Sequence, residues 1–353
     1  MTSFTLADVR ERTYKSRDAW WTVFLVDPLA ARLVVWTANR TSITPNQITF
    51  GAGVLGAGSA VCFALGSWPW LVAGALLFHL SFVLDCMDGK IARLKGTGSV
   101  FGAWVDFVFD RIRFFGCMLA LLIGQWAATG EVVYLVLAPV VTFLDLLRYL
   151  NGAQVAKTRQ TMRQQLRAAA EGGAPAPAAA DPESTETEPG AAGEPEAGGE
   201  GGGVVFVEEV LRENPELDAE QVHARSAETG ARVIDVHQGF TRRFGWYSGL
   251  RAALLRSRVR PHLFSGIEFE MFVCVVAPLT ALLSPAVPGA TLIVPVAVLS
   301  CAALAAFEVL IVYKLWLATR DFAVELRRLQ QADGAGWGAP PAPPRCLPWW
   351  PSP

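Results

Sequence analysis

The stretch Asp85–Asp110, DCMDGKIARLKGTGSVFGAWVDFVFD, sets four carboxylates, Asp85, Asp88, Asp106 and Asp110, inside or beside sequence apolar enough to cross a membrane. An ionised carboxylate in a bilayer costs about 2.5–3.5 kcal/mol on insertion scales. Four together require cations or water, so function has to be sought here. Asp85 and Asp88 are three residues apart and Asp106 and Asp110 four apart, spacings that put each pair on one face of its helix. The turn between the pairs is short and Gly-rich, which makes the two helices antiparallel neighbours. The first pair then lies about two turns before one helix ends and the second about two turns into the next. The four acids can therefore converge at one depth.

Converging carboxylates are hard oxygen ligands suited to Mg²⁺, Mn²⁺ or Ca²⁺. Four of them could hold two divalent cations, which clamp a pyrophosphate and neutralise a leaving phosphate. Gly89 and Gly102 remove side chains where a ligand must approach backbone. Ala92 keeps the same face open, and Arg93 offers a charged fork for a phosphate. A reading without chemistry makes the acids helix-end salt bridges to Lys90, Arg93, Arg111 and Arg113. It accounts for one aspartate readily, but not for four acids, two glycines and an arginine at these spacings.

Outward from this stretch, the composition points to the same setting. The chain has 353 residues, 52% of them hydrophobic and only 18% charged, against about 25% charged in a soluble domain. This is the balance of an integral membrane protein. The net charge of −2 gives no basis for a nucleic-acid partner. The six cysteines form no CxxC pair and the four histidines lack metal-ligand spacing, so neither a disulfide framework nor a zinc site is expected. The polar opening MTSFTLADVRERTYKSRD has neither the apolar core nor the cleavage site of a signal peptide.

Taken in order, residues 1–43 read as an N-terminal cytoplasmic segment ending in an interfacial amphipathic helix. Pro28 suits a first helical turn, and Arg32, Trp36 and Arg40 recur on one face with Leu29 and Leu33 on another. A short first transmembrane span is the alternative there. Residues 44–157 hold spans one to four, opened by Thr44 as N-cap and Pro45 as first helical residue. Residues 158–262 form a cytoplasmic insertion, within which 171–203 is an acidic linker without a residue larger than Glu, expected to be disordered. Residues 263–319 hold spans five and six, and 320–353 are a cytoplasmic tail, disordered over most of its length. The basic residues flank the spans on one side only, while GSWPW, AATGE and SPAVPG carry no Lys or Arg. By the positive-inside rule both termini and the aspartate cluster face the cytoplasm.

The pattern D-x2-D-G-x2-A-R-x8-G-x3-D-x3-D, filled by Asp85, Asp88, Gly89, Ala92, Arg93, Gly102, Asp106 and Asp110, resembles the signature of the CDP-alcohol phosphotransferases (CDP-alcohol phosphatidyltransferases). The TPNQIT run at Thr44–Thr49 is similar to the start of that family's first span. The resemblance covers about residues 27–157 and, more loosely, spans five and six. It implies an all-α fold of six transmembrane helices, a homodimer in a cell membrane, and a transferase. Such an enzyme moves a phospho-alcohol from a CDP-alcohol to a hydroxyl acceptor, releases CMP and serves phospholipid biosynthesis. Carried over, Asp85, Asp88, Asp106 and Asp110 bind two Mg²⁺ or Mn²⁺ ions, Asp110 also serves as general base, and Asp88, Gly89, Ala92, Arg93 and Gly102 form the CDP site. A base beside two dications must sit at their edge to accept a proton.

The donor alcohol is open between CDP-diacylglycerol, which the site's position at the membrane favours, and a polar CDP-alcohol. A divalent-cation transporter is the reading from another class, but it leaves Gly89, Ala92 and Arg93 without a role. For the acceptor, Arg148, three residues from Asp145 on span four, and Arg260, before span five, are candidates for holding a phosphate. Arg148 is otherwise the partner of Asp145 in an internal ion pair, and Arg260 otherwise an anchor at lipid headgroups. Of Glu268 and Glu270 only one can face a cavity, and Glu308 lies deep in span six.

Overall fold

The computed structural model describes residues 4–170, 204–207, 253–261, 263–283 and 291–333, with further positions at 210, 222, 232–234 and 249. The acidic linker 171–203 and most of the rest of the insertion lie outside the described residues. The chain is built of helices: α1 (Leu6–Thr13), α2 (Asp27–Arg40), α3 (Pro45–Ala64), α4 (Trp68–Lys95), α5 (Val100–Thr129), α6 (Val133–Ala170), α7 (Gly266–Leu283) and α8 (Ile293–Asp333). Two short parallel strands, β1 (Val204–Phe206) and β2 (Arg232–Ile234), pair within the insertion. Five of the helices, α3, α4, α6, α7 and α8, are long and apolar enough to cross a membrane, which makes this a multi-pass membrane protein. The 30-residue α5 carries the charged Asp106–Arg113 segment in its first half and an apolar run after it.

Local chemistry explains where these helices begin. Thr44 and Gln47 form a capping box: the Thr44 side chain accepts from the Gln47 backbone N–H, and Gln47 Oε1 accepts from the Thr44 N–H at 3.0 Å. Pro45 occupies the first turn, where its missing N–H costs nothing. Helix α4 stops at Gly96, whose φ of 64° is left-handed and lets the chain reverse within a few residues. Ser99 then caps α5 by accepting from Gly102 N–H at 3.0 Å. This tight reversal is what brings the two aspartate pairs onto facing helices.

Chain contacts divide the protein into two units. The first takes in the described residues of 4–155 and 244–313, and the second those of 156–170, 199–243 and 314–333. In the first, α3 packs against both α4 and α5. Small side chains allow close approach between these helices. Ser59 donates to Gly74 O at 2.8 Å, Ser81 to Ala52 O at 2.7 Å, and Gln125 to Gly66 O at 2.8 Å. These bonds satisfy buried side-chain groups that hydrocarbon could not. At Gly124 on α5 an added Cβ would fall inside contact distance of the Phe63 carbonyl and 3.0 Å from Ala64 Cα. Gly124→Ala is therefore expected to cost about 1–3 kcal/mol by overpacking. Gly116→Ala, where nothing lies within 4 Å of the new methyl, should be close to neutral; paired thermal unfolding in detergent measures the difference.

The amphipathic α2 buries Ala30, Ala31, Val34 and Thr37, leaves Arg32, Trp36 and Arg40 exposed, and packs on α4. Its first residue, Asp27, is 3% exposed and is held by Lys90 Nζ at 2.9 Å and Arg258 Nη2 at 3.3 Å. Arg258 also donates to Lys15 O at 3.0 Å and lies 4.3 Å from the centre of the Tyr14 ring. Beside it, Asp18 and Val259 form a parallel bridge: Asp18 N–H donates to Arg258 O at 2.9 Å and Arg260 N–H to Asp18 O at 2.8 Å.

In the second unit, Leu166, Ala169, Phe206 and Leu329 form a small buried cluster. The helices that supply it run on past the hydropathy boundaries near Lys157 and Leu317, to Ala170 and Asp333. The added segments are rich in Ala, Leu, Arg and Gln, strong helix formers with no need of a bilayer.

Candidate active site

The last turns of α4 and the first turns of α5 bring Asp85, Asp88 and Asp106 together, with one carboxylate oxygen of each within 4.8 Å of the others. Three hard oxygens at such separations suit a divalent ion with bonds of about 2.0–2.6 Å, so the donor set fits the metal the motif implies. Asp88 is buried and accepts a hydrogen bond of 2.5 Å from the Thr49 hydroxyl, one turn into α3. That bond orients one oxygen and leaves the other for a ligand.

Asp110, the fourth motif acid, is engaged differently. Its Oδ1 is ion-paired with Arg113 Nη2, and Arg113 Nη1 lies 3.0 Å from Asp85 Oδ1. Of the four cations that could have neutralised the cluster, Arg113 alone touches the motif acids among the described ion pairs. Lys90 is taken by Asp27, and Arg111 by Asp145 and Glu270. Arg93 is exposed, its Nε donating to Gly89 O at 3.1 Å one turn earlier on α4. Gly89 and Ala92 are half-buried on the same helix, and Gly102 is exposed at the start of α5.

Behind Asp110 lies a second charged group that the residue pattern did not reveal. Arg111 Nη1 is 3.2 Å from both oxygens of Asp145, and Nη2 is 2.7 Å from Glu270 Oε1. Tyr149 donates to that same Glu270 oxygen at 3.1 Å, and its ring centre lies 4.0 Å from the Arg111 guanidinium carbon. One cation from α5 thus ties α5 to α6 and α7. Asp145 pairs with Arg111 rather than with Arg148, its neighbour on the helix. Arg148 reaches Glu308 on α8 at 3.3 Å, and Asn151 donates to the same carboxylate at 2.5 Å. Glu268 is spent on its own helix start, accepting from Ser265 N–H at 3.0 Å and Ser265 hydroxyl at 2.6 Å. Arg260 is paired with Asp18 at 3.2 Å. Both acceptor candidates, Arg148 and Arg260, therefore already have a carboxylate partner, and in the described ion pairs that partner is not a motif aspartate. A cavity of about 770 Å³ opens instead beside α1, lined by Arg10, Tyr14, Lys15, Asp27 and Arg258 among others; no motif aspartate lines it.

Residues 42–180 match the family model for CDP-alcohol phosphatidyltransferase. This part of the chain is similar to the CDP-alcohol phosphatidyltransferase domain, and the aspartates of α4 and α5 sit within the matched stretch. The chain is 32% identical over 114 residues to a phosphatidylinositol phosphate synthase of Corynebacterium glutamicum, covering 31% of this chain and 48% of that protein. It is 36% identical over 84 residues to a bifunctional IPC transferase and DIPP synthase of Aquifex aeolicus, covering 22% of this chain and 17% of that one. To an archaetidylinositol phosphate synthase of Aeropyrum pernix it is 38% identical over 76 residues, covering 21% and 37%. The chain thus spans less than half the length of each of these relatives.

Proposed function

We propose that this protein transfers a phospho-alcohol group from a CDP-alcohol to the hydroxyl of a polar acceptor and releases CMP. The carrying observation is the convergence of Asp85, Asp88 and Asp106 from two helices within the stretch similar to this family's domain. Asp85, Asp88 and Asp106, with Asp110, would hold Mg²⁺ or Mn²⁺, which when bound supplies positive charge to the pyrophosphate and the leaving phosphate. The chain itself does the rest. Gly89, Ala92 and Gly102 leave room for the donor, and the exposed guanidinium of Arg93 stands where a phosphate would arrive. Asp110 receives the proton of the acceptor hydroxyl. The acceptor oxygen then forms a bond to the β-phosphorus as the bond to the bridging oxygen breaks, and that oxygen leaves with CMP.

Alignment and charge stabilisation would supply most of the rate. CDP-diacylglycerol is the proposed donor, because the site lies where spans end, and an inositol phosphate the proposed acceptor. Two relatives whose names include an inositol phosphate product support the acceptor class. We further read α5 as a sixth span, with the site and both termini on the cytoplasmic side and a homodimer as the assembly. Arg148 and Arg260 remain the proposed acceptor contacts, each needing to leave its carboxylate partner. The test is CMP release by purified protein from CDP-diacylglycerol and from polar CDP-alcohols, each with inositol phosphate, inositol, glycerol phosphate and serine. Binding of a CDP-alcohol without CMP release for any acceptor would rule the enzyme out.

Thr49→Val should weaken Mn²⁺ binding about tenfold or more, since supports of ligating carboxylates are worth roughly 10–100-fold in affinity. Titration calorimetry measures it, and an unchanged affinity would separate Thr49 from the site.

A further inference from the structure

We propose that the cavity beside α1 is a site for the phosphoryl headgroup of an anionic phospholipid, apart from the aspartate cluster. It measures about 770 Å³ and is lined by Arg10, Glu11, Tyr14, Lys15, Asp27 and Arg258 among others. That volume falls in the usual range of ligand pockets, about 300–1,000 Å³. Asp27 is already matched by the buried Lys90 at 2.9 Å. Counting Lys90, four cations stand against two carboxylates. The surplus is positive, and guanidinium and ammonium groups together suit a phosphate.

Arg258 occupies a position where glycine is usual. The helical turn at 253–256 ends with Arg258 N–H donating to Leu255 O at 3.0 Å and Val259 N–H to Leu254 O at 2.9 Å, the pair of bonds of a Schellman ending. The φ of Arg258 is 60°, the one left-handed value at a non-glycine among the described residues. Strain of this kind gathers at ligand clamps. An arginine here is retained for its side chain, since its backbone would be easier as glycine. The guanidinium is pinned in place: it donates to Lys15 O at 3.0 Å and to Asp27 Oδ2 at 3.3 Å, and lies 4.3 Å from the centre of the Tyr14 ring. Those bonds engage Nε and Nη2. Nη1 takes none of the described bonds, and the side chain is 32% exposed, so the fork can still receive an anion.

The rim of the cavity selects a lipid over a free phosphate. Val23 and Pro28 also line it, and their neighbours Phe24, Leu25 and Leu29 are exposed. Apolar side chains beside a basic cavity, in a multi-pass membrane protein, fit a headgroup whose acyl chains stay in the bilayer. A free phosphate has no use for them. The occupant would also be one ion pair from the motif helix, because Asp27 joins Arg258 to Lys90, which stands between Gly89 and Ala92 on α4.

The experiment is a titration of the full-length protein in detergent with dioleoyl phosphatidic acid or dioleoyl phosphatidylcholine, bound lipid being counted by native mass spectrometry. Divalent ions are left out, so the aspartate cluster repels the lipid phosphate and catalysis plays no part. Wild type should bind phosphatidic acid at least tenfold more tightly than phosphatidylcholine. Arg258→Gly, which suits the left-handed turn and removes only the guanidinium, should reduce phosphatidic acid binding about fivefold, the weight of one basic residue near an anionic headgroup. The pair Arg10→Gln with Lys15→Gln, both exposed, should reduce it at least tenfold and serves alone should Arg258→Gly fail to fold. The control pair Arg32→Gln with Arg40→Gln, on the exposed face of α2, should change it less than threefold. Equal affinity for the two lipids in wild type overturns the proposal, as does a loss in the control pair as large as in the Arg10 and Lys15 pair. Displacement of phosphatidic acid by an equal concentration of inorganic phosphate overturns the assignment to a lipid.

Discussion

Asp110→Asn is expected to lower CMP release by about 10²–10⁴-fold, the range for losing a general base, while CDP-alcohol binding stays near wild type. The amide keeps the shape and one oxygen but cannot take up the acceptor's proton. The substitution also removes one of the two carboxylates that hold Arg113. The readout must therefore separate binding from turnover. Single-turnover CMP release against donor affinity does so: loss of rate at unchanged affinity supports the base, whereas equal losses point to a collapsed site. Retention of the full rate would remove Asp110 from the proton transfer altogether.

Arg111→Ala should be the most destabilising single change in the helical core. Its guanidinium is the one cation in the described contacts of both Asp145 and Glu270, which are 5% and 2% exposed. Breaking a buried pair by removing one partner costs about 3–5 kcal/mol, because the remaining charge stays buried. Here two carboxylates lose their partner at once, and Tyr149 loses the cation stacked on its ring. A large fall in the detergent unfolding temperature is the expected result. The double variant Arg111→Met with Glu270→Gln should recover part of it, since it removes charge on both sides. A fall no greater than that of an exposed control such as Arg93→Ala would show that the network contributes little.

What the sequence made legible was local. Thr44-Pro45 with Gln47 announces a helix start because capping involves residues three apart, and the aspartate pairs announce a shared face because the helical period is fixed. The partners of the cations were not legible in the same way. Arg113 stands three residues from Asp110, a spacing that permits the contact, yet Lys90, Arg93 and Arg111 were equally near in sequence. Only the packing of α3 against α5, with Gly56 clearing space for the stem, selects among them. Asp145 illustrates the same limit. Its neighbour Arg148 lies one turn away on α6, but a residue on another helix reaches it first. The ends of α6 and α8 were hidden for another reason. Hydropathy marks how deep a residue sits, not where a helix stops, and the charged continuations to Ala170 and Asp333 are helical by propensity.

The bridge between Asp18 and Val259 has a consequence for how the chain matures. The two residues are separated by most of the sequence, so an early-synthesised end must wait for a late one before Asp27, already within reach of Lys90, gains Arg258 as its second cation. Everything between them, spans and insertion alike, is a single closed loop. The entropy of closing a flexible loop grows only with the logarithm of its length, about 0.6 kcal/mol per doubling. Residues could therefore be added to or removed from the 158–252 region over evolutionary time at almost no thermodynamic cost to that closure. Such a chain is free to vary its insertion while its two halves are still fastened at one fixed clasp.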